Sequence, residues 1–294
     1  MSLKPPMTGK RKILIAYAAY SLAMIALFMV LLFPDQAVRD FLEQRAGGIY
    51  PDMRIRIGAL RPALPFSVRM ADVSVFWQDR PYGDFEYVKV TPSVFSMWRH
   101  RRPLSFKGRT FDGRFKGVCG QDRKTDAWTL DVAFSGMALG AMEGVQRLLP
   151  HEIKGTAAGH IKAVLDNGGR PLAEYDVVLS DVVVALSAPV FSIDTVAFDR
   201  IEAAVVMEGN RVRIENCTGS GEQLDGELSG EIQVRQPYGQ SLLRVKGFVR
   251  PQASLVAKLG ESLPVEMVLG QNAGEKGLPI SFTGTLADPK VSFK

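Results

Sequence analysis

The chain has 294 residues, of which 46% are hydrophobic and 23% are charged, and its pI is about 9.2. This composition is typical of a folded body and excludes a largely disordered chain. Four basic residues and no acid precede the first apolar run, and the rest of the chain holds 32 Lys and Arg against 31 Asp and Glu. We therefore attribute the high pI to the N-terminal charges, and a nucleic-acid surface is disfavoured as the main role of the fold.

The first predicted element is an apolar run of 21 residues, Ile13 to Phe33, without a charge, an amide or a proline. A helix rises about 1.5 Å per residue, so this run would span roughly 30 Å, which is the thickness of a bilayer's hydrocarbon core. We predict a transmembrane helix over residues 13–33. Its expected anchor residues are Ile13, Leu14, Ile15, Leu22, Ile25, Leu27, Phe28, Val30, Leu31, Leu32 and Phe33.

The charges beside this run predict its orientation. Basic residues collect on the cytoplasmic side of a span, and those that precede it here are Lys4, Lys10, Arg11 and Lys12. We expect residues 1–12 to be a cytoplasmic basic tail and the body to lie in the periplasm, anchored to a bacterial inner membrane. The run is too long for a cleaved signal peptide, and no small-x-small cleavage site follows it, so the anchor is expected to remain.

Residues 34–48 are predicted to form a short amphipathic helix that ends at Gly47-Gly48. Its apolar face is expected to carry Val38, Phe41 and Leu42, together with Arg45. Two interpretations are open. The helix is either a stalk on the membrane surface or a continuation of the anchor that packs on the body.

From Met53 onward the apolar residues alternate with polar ones, which indicates antiparallel strands with one apolar face. The period-two pattern predicts strands over 53–57, 66–77, 86–90, 176–186, 201–207, 211–215 and 231–235. Aspartates such as Asp72, Asp112, Asp225 and Asp288 fall near turn residues, where we expect them to cap backbone groups. The body, residues 49–294, is therefore predicted to be mainly β.

Three helical interruptions are predicted within the body. Thr91 is expected to cap a helix that begins at Pro92 and reaches Trp98, followed by the basic cluster at residues 99–102, which is interpreted as a solvated loop. The other two are indicated by Met142, Val145 and Leu149, and by Leu255, Val256 and Leu259.

Pairs of glycines four residues apart recur in the body. The pairs are Gly113 and Gly117, Gly155 and Gly159, and Gly226 and Gly230. Residues i and i+4 of a strand face the same side, so each pair predicts a gap in one sheet face or a bulge. The unequal spacing between pairs indicates related hairpins and not a strict repeat.

Residues with catalytic chemistry are sparse. His100, His151 and His160 have no partner at metal-ligand spacing, and the chain contains no GxSxG, Walker or HExxH motif. Cys119 and Cys217 either form one disulfide or, as the favoured interpretation, are small buried residues on separate strands. The chain is therefore predicted not to be an enzyme and to use no cofactor or metal.

Several segments in this order resemble a known family. They are the exit from the apolar run at Phe33-Pro34, the segment VTPSVFSMW at residues 90–98 between strands, and the closing GTLADPKVSF at 284–293. On these motifs the chain resembles the type II secretion system protein N family, in its AsmA-like form, over nearly its whole length.

The resemblance implies an N-terminal transmembrane helix followed by an elongated, curled antiparallel β-sheet with a few short helices. It also implies an assembly component of the machinery that moves folded proteins across the outer membrane, with other secretion-system or envelope proteins as partners. AsmA-like sheets suggest an alternative, an envelope protein that binds or transfers lipid along an apolar face. The family supplies no catalytic residues.

Overall fold

The protein is described by a computed structural model. It covers residues 9–49, 53–63, 67–77, 80–93, 103–121, 125, 127–148, 152–165, 171–190, 193–252, 255 and 277–293.

Two helices open the described chain. Helix α1 (Gly9–Leu31) is 23 residues long, and α2 (Asp35–Ile49) follows a short break at Pro34. Most side chains of α1 are exposed where they are described, for example 71% for Leu14. Within the described part of the chain, no helix meets the length and hydrophobicity needed to cross a membrane. The transmembrane helix over residues 13–33 stays a prediction.

The body is one antiparallel sheet of 14 strands, in which each strand pairs with its neighbours in the sequence. At about 4.8 Å between strands, the sheet extends roughly 60 Å across its strands. The prediction of a mainly β body with few helices is confirmed. The strands are β1 (Met53–Ala63), β2 (Ser67–Trp77), β3 (Arg80–Pro92), β4 (Leu104–Thr110), β5 (Gly113–Gln121), β6 (Trp128–Ala138), β7 (Glu152–Leu165), β8 (Leu172–Val190), β9 (Ile193–Glu208), β10 (Arg211–Ser220), β11 (Leu224–Gln233), β12 (Leu242–Pro251), β13 (Leu278–Thr285) and β14 (Pro289–Phe293).

Helix α2 packs on the first strands of the sheet. Phe33, Val38 and Leu42 contact a buried cluster formed by Ile57, Leu60 and Val73. Oε1 of Glu43 accepts a hydrogen bond from the backbone N–H of Ile57 at 2.8 Å, which satisfies a donor on edge strand β1. The structure therefore favours the second interpretation of this segment, a helix that packs on the body.

Two details predicted for this helix are wrong. Phe41 does not share the packed face, since its side chain is 61% exposed. The helix also passes through Gly47-Gly48 and extends to Ile49, because glycine is permitted within a helix even though it weakens it.

A second cluster lies at the middle of the sheet. A 3-10 helix (Leu139–Ala141) and the short helix α3 (Glu143–Leu148) follow β6, and Leu139 is buried with Ala157 and Val182. Nε2 of Gln146 donates a hydrogen bond to the carbonyl of Ile153 at 2.8 Å. The helix predicted around Met142 and Val145 is confirmed, although its predicted member Leu149 lies outside the described residues.

The helix predicted to begin at Thr91 and Pro92 is wrong at its start. Both residues end strand β3, and Oγ1 of Thr91 lies 2.9 Å from Oγ of Ser67 on the neighbouring strand. This cross-strand contact occupies the hydroxyl that was expected to cap a helix. The rest of this predicted helix and the basic cluster, residues 94–102, lie outside the described residues. The third predicted helix, around Leu255, Val256 and Leu259, also lies outside them except for Leu255.

The prediction that four aspartates cap backbone groups near turns holds only in part. Oδ1 of Asp225 accepts a hydrogen bond from the N–H of Gly221, so the capping prediction is confirmed there. Asp112 and Asp288 lie in turns as expected, Asp112 with φ 62°, but the bond at Asp288 is donated by its own backbone N–H to Oγ1 of Thr285 and is not a cap made by its carboxylate. The prediction is wrong for Asp72, which lies inside β2 with φ 53°.

The glycine pairs show both predicted features, a bulge in the strand and a gap in one face of the sheet. Gly155 (φ 133°) and Gly230 (φ 151°) lie where the strand pairing shifts register, which marks bulges. A Cβ on Gly117 would meet the ring of Phe106 at 2.6 Å, and a Cβ on Gly159 would meet the ring of Phe134 at 2.9 Å. These two glycines therefore leave gaps that aromatic rings occupy.

Both cysteines are free and half-buried, on β5 and β10. Five strand spacings of about 4.8 Å separate these strands, whereas a disulfide needs Cα atoms within roughly 7 Å. The structure thus supports two thiols on separate strands and contradicts the disulfide.

Candidate functional site

The anchor residues predicted from sequence lie on α1 and on the residues just after it. Most of their described side chains are exposed: Ile13, Leu14, Ile15, Ile25, Leu27, Phe28, Leu31 and Leu32. Phe33 differs, because it packs on the cluster beneath α2. The side chains of Leu22, Val30, Lys10, Arg11 and Lys12 lie outside the described residues, as does Lys4 altogether.

The strand register places apolar residues opposite one another across the whole sheet. In an antiparallel pair, directly opposed residues lie on the same face, so a chain of opposed partners defines a row. The first apolar row crosses all fourteen strands without a charged residue: Leu60, Met70, Val88, Gly108, Phe115, Phe134, Gly159, Val177, Ala203, Cys217, Leu228, Gly247, Ile280 and Phe293.

A second apolar row runs beside the first and also crosses every strand. Its members are Pro62, Val68, Val90, Phe106, Gly117, Val132, Ile161, Tyr175, Val205, Ile214, Gly230, Val245, Phe282 and Val291. We call the side that holds both rows the apolar face. In the described chain, α2 packs on this face at β1, against the cluster of Ile57, Leu60 and Val73, and most of the other side chains of the face are half-buried.

Three polarisable groups on this face have perturbed acidities. Burial raises the pKa of the Cys119 and Cys217 thiols above the ordinary thiol value. Burial is also the main reason that the pKa of Tyr175 is raised, and the nearby Tyr82 adds to it. All three groups therefore stay neutral at neutral pH on the apolar face.

The opposite side, which we call the polar face, is charged but divided into two regions. From β6 onward, side chains of opposite charge lie opposite each other on neighbouring strands. Asp131 is paired with Lys162, and Glu231 is paired with Arg244. Such cross-strand pairs stabilise a sheet.

The region from β1 to β5 has the reverse pattern. One row of directly opposed residues is entirely cationic, and we call it the basic row: Arg61, Arg69, Lys89, Lys107 and Lys116. Like charges opposed across strands destabilise a sheet. The guanidinium of Arg69 lies 4.6 Å from the centroid of the Tyr87 ring, which offsets part of that cost for one member.

His160 and Asp131 form a pair that the sequence did not reveal. Nε2 of His160 lies 2.6 Å from Oδ1 of Asp131, on the adjacent strand of the polar face. The two residues are 29 positions apart, so spacing gave no signal for the pair. Within the described residues, no group of three or more His, Cys, Asp or Glu is placed to hold a metal ion.

Comparison of the chain with protein-family models, with curated proteins and with solved structures finds no match.

The sequence predicted on which face of its own strand a residue lies, but it did not predict the apolar rows or the basic row that run across the strands. Alternation shows which residues of one strand share a face, but only the register shows which residues of different strands oppose each other. The signal that was available for the basic row is an excess of thirteen Lys and Arg over five Asp and Glu within residues 53–121.

Proposed function

We propose that this protein is a membrane-anchored structural component of a bacterial envelope assembly, namely the type II protein secretion system. Helix α1 would hold the protein in the inner membrane, and the sheet would stand in the periplasm as a surface for other subunits. The proposal is supported by the order of elements, a long apolar helix, a short helix and then one extended sheet, which agrees with what the family resemblance implies.

The observation that carries the proposal is the open 14-stranded sheet. Its strands pair only with their neighbours in the sequence, so the sheet has two edges, at β1 and β14. Glu43 of α2 occupies part of the β1 edge, whereas no described element pairs with the outer edge of β14. An unpaired edge offers backbone donors and acceptors to an added strand, which is a common mode of subunit assembly.

The membrane part of the proposal rests on α1. Its exposed apolar side chains include Ile13, Leu14 and Ile25, and the run from Ile13 to Phe33 contains no charge. Exposing such a surface to water is unfavourable, and burial in lipid removes that cost. Four basic residues before the run favour a cytoplasmic N-terminus.

A fusion tests the topology. A reporter enzyme that is active only in the periplasm, joined after Lys294, should be active, and the protein should remain with membranes after washing in alkaline carbonate. An expressed but inactive reporter would overturn the orientation and the compartment.

A second function, lipid binding, is favoured by the two apolar rows. The two uncharged rows cross a sheet roughly 60 Å wide, which matches the surface that acyl chains need. Among the described elements, only α2 and the central cluster cover part of that face. Crosslinking of the full-length protein with a phospholipid that carries a photoreactive acyl chain separates the two functions. Crosslinks to residues of the apolar rows would favour lipid binding, whereas protein without such crosslinks that co-purifies with secretion subunits would favour assembly.

A further inference from the structure

We propose that the polar face at β3–β5 holds a binding site for phosphate groups, and that its ligand is the headgroup of anionic phospholipids. The site consists of Lys89, Lys107 and Lys116, three consecutive members of the basic row. The inference rests on the proposed function, because it assumes that the sheet is anchored next to a membrane. It adds a ligand for the polar face, to which the proposed function gives no role.

The arrangement of charge singles out these lysines. Lys89 opposes Lys107, and Lys107 opposes Lys116, so the middle ammonium has a like charge on both sides. The same face pairs opposite charges from β6 onward, which shows that this fold accommodates favourable pairing. Three opposed lysines destabilise the sheet when no ligand is bound, and a bound anion would remove that repulsion.

The lysines line a cavity that is widely open to solvent. Its volume is about 340 Å³, and Ser105 lines it beside the three ammonium-bearing side chains, together with Thr91, whose hydroxyl is already in contact with Ser67. Lysine ammonium groups are strong ligands of phosphate oxygens, and the Ser105 hydroxyl can add a hydrogen bond. A cavity with this lining is therefore suited to a phosphate ester.

Little within the described chain competes for these cations. None of the three lysines forms an ion pair with another described residue. Asp131 is the one carboxylate in the cavity lining, and its Oδ1 is already bonded to Nε2 of His160.

The surroundings reinforce the positive potential. Arg109 opposes Arg114 in the adjacent row of the polar face. Arg109 lies 3.5 Å from a carboxylate oxygen of Glu86, so one of these two charges is partly neutralised. The other acids on the described parts of β1–β5 and their turns are Asp72, Asp84 and Asp112.

The position of the site along the chain favours lipid over a soluble anion. Residues 53–121, which follow the anchor most closely, hold thirteen basic and five acidic residues, a net charge of +8. Residues 122–294 hold 17 basic and 22 acidic residues, a net charge of −5. Basic segments next to a membrane anchor bind anionic leaflets electrostatically, whereas an acidic segment is repelled.

The test compares headgroups on the full-length protein in a non-ionic detergent. Short-chain phosphatidylglycerol, short-chain phosphatidylcholine and glycerol phosphate are titrated in parallel. The test variant carries Lys89→Gln, Lys107→Gln and Lys116→Gln. A matched control carries Arg213→Gln, Arg244→Gln and Lys246→Gln, which removes the same charge from the polar face at β10–β12.

The wild type should prefer phosphatidylglycerol to both other ligands. The test variant should bind it about tenfold more weakly, and the control variant should stay within about twofold of the wild type. Equal losses in both variants would overturn the site. Phosphatidylcholine or glycerol phosphate binding as tightly as phosphatidylglycerol would overturn the lipid headgroup as ligand.

Thermal unfolding excludes a trivial loss of structure. The midpoint of the test variant should equal or exceed that of the wild type, because the substitutions remove like-charge repulsion. A lower midpoint would show that the lysines are needed for the fold and would contradict the proposal. Binding in detergent does not depend on whether α1 spans a bilayer. If the periplasmic reporter is active but no headgroup binds, the proposed function stands and only the phosphate-binding site is contradicted.

Discussion

At the residue scale, the apolar face is shaped by glycines that lie beneath aromatic rings. Phe115 lies over Gly108, Phe106 over Gly117 and Phe134 over Gly159, and each ring belongs to a neighbouring strand. The missing Cβ makes room for the ring, and the ring shields the backbone that the glycine exposes.

Gly159→Ala should destabilise the protein by about 2 kcal/mol, because the new Cβ would overlap the Asp176 carbonyl oxygen and lie 2.9 Å from Cζ of Phe134. Gly226→Ala is the matched control, since its Cβ would make only ordinary contacts, at 3.5 Å or more. Urea unfolding of both variants measures the difference. Equal stabilities would show that the ring contact imposes no constraint.

The two half-buried thiols predict a specific pH dependence. Burial raises their pKa in the folded state, so folding favours the neutral thiol. Their contribution to stability is present below the pKa of the unfolded thiols and is lost as the pH rises through the folded value. Replacing both cysteines by alanine should therefore reduce the fall in unfolding free energy between neutral pH and about pH 10. The same fall in both proteins would contradict this.

At the element scale, α2 serves as a cover for the edge of the sheet as well as for its apolar face. Edge strands expose unpaired backbone groups, and charged or helical covers prevent unwanted pairing. The carboxylate of Glu43 reaches the N–H of Ile57, which is 4% exposed, while Val38 and Leu42 pack on the cluster that contains Ile57.

Glu43→Ala should therefore lower the unfolding free energy by about 1 to 3 kcal/mol, since a buried backbone donor loses its partner. Asp40→Ala is the control, because Asp40 is an exposed carboxylate on the same helix. Chemical unfolding in detergent quantifies both variants. Glu43→Gln should recover part of the loss, because the amide oxygen still accepts a hydrogen bond. An Ala variant as stable as the control would remove this role.

The elements were largely predictable from the sequence where one local signal dominated. Period-two alternation located strands such as β8 and β9, and the helical spacing of Met142 and Val145 located α3. The prediction failed at Thr91, because its cap signal is local whereas the contact with Ser67 comes from 24 residues away. It also failed at Phe41, since the side of α2 that faces the sheet depends on where β1 lies.

At the scale of the whole molecule, the informative features depend on register and not on composition. A sequence gives each strand two faces, but the fourteen-membered apolar rows and the basic row exist only once every strand is aligned with the next. The near-neutral total charge of the body also concealed its division into a basic first part and an acidic remainder. The class of fold was therefore accessible from sequence, and the basic row was not.

The same architecture predicts graded stability across the sheet. Each strand bonds only to its two neighbours, so the sheet can open from an edge without disrupting distant strands, as in repeat proteins. The central strands β7, β8 and β9 have 14, 19 and 16 residues and include the cluster of Ala157 and Val182, whereas edge strand β14 has five residues. Hydrogen exchange of the full-length protein, read by mass spectrometry of its peptides, should be slowest in β8 and fastest in β14. Uniform protection from β1 to β14 would instead show that the sheet opens as one cooperative unit, and would contradict an assembly edge at β14 that is free to open.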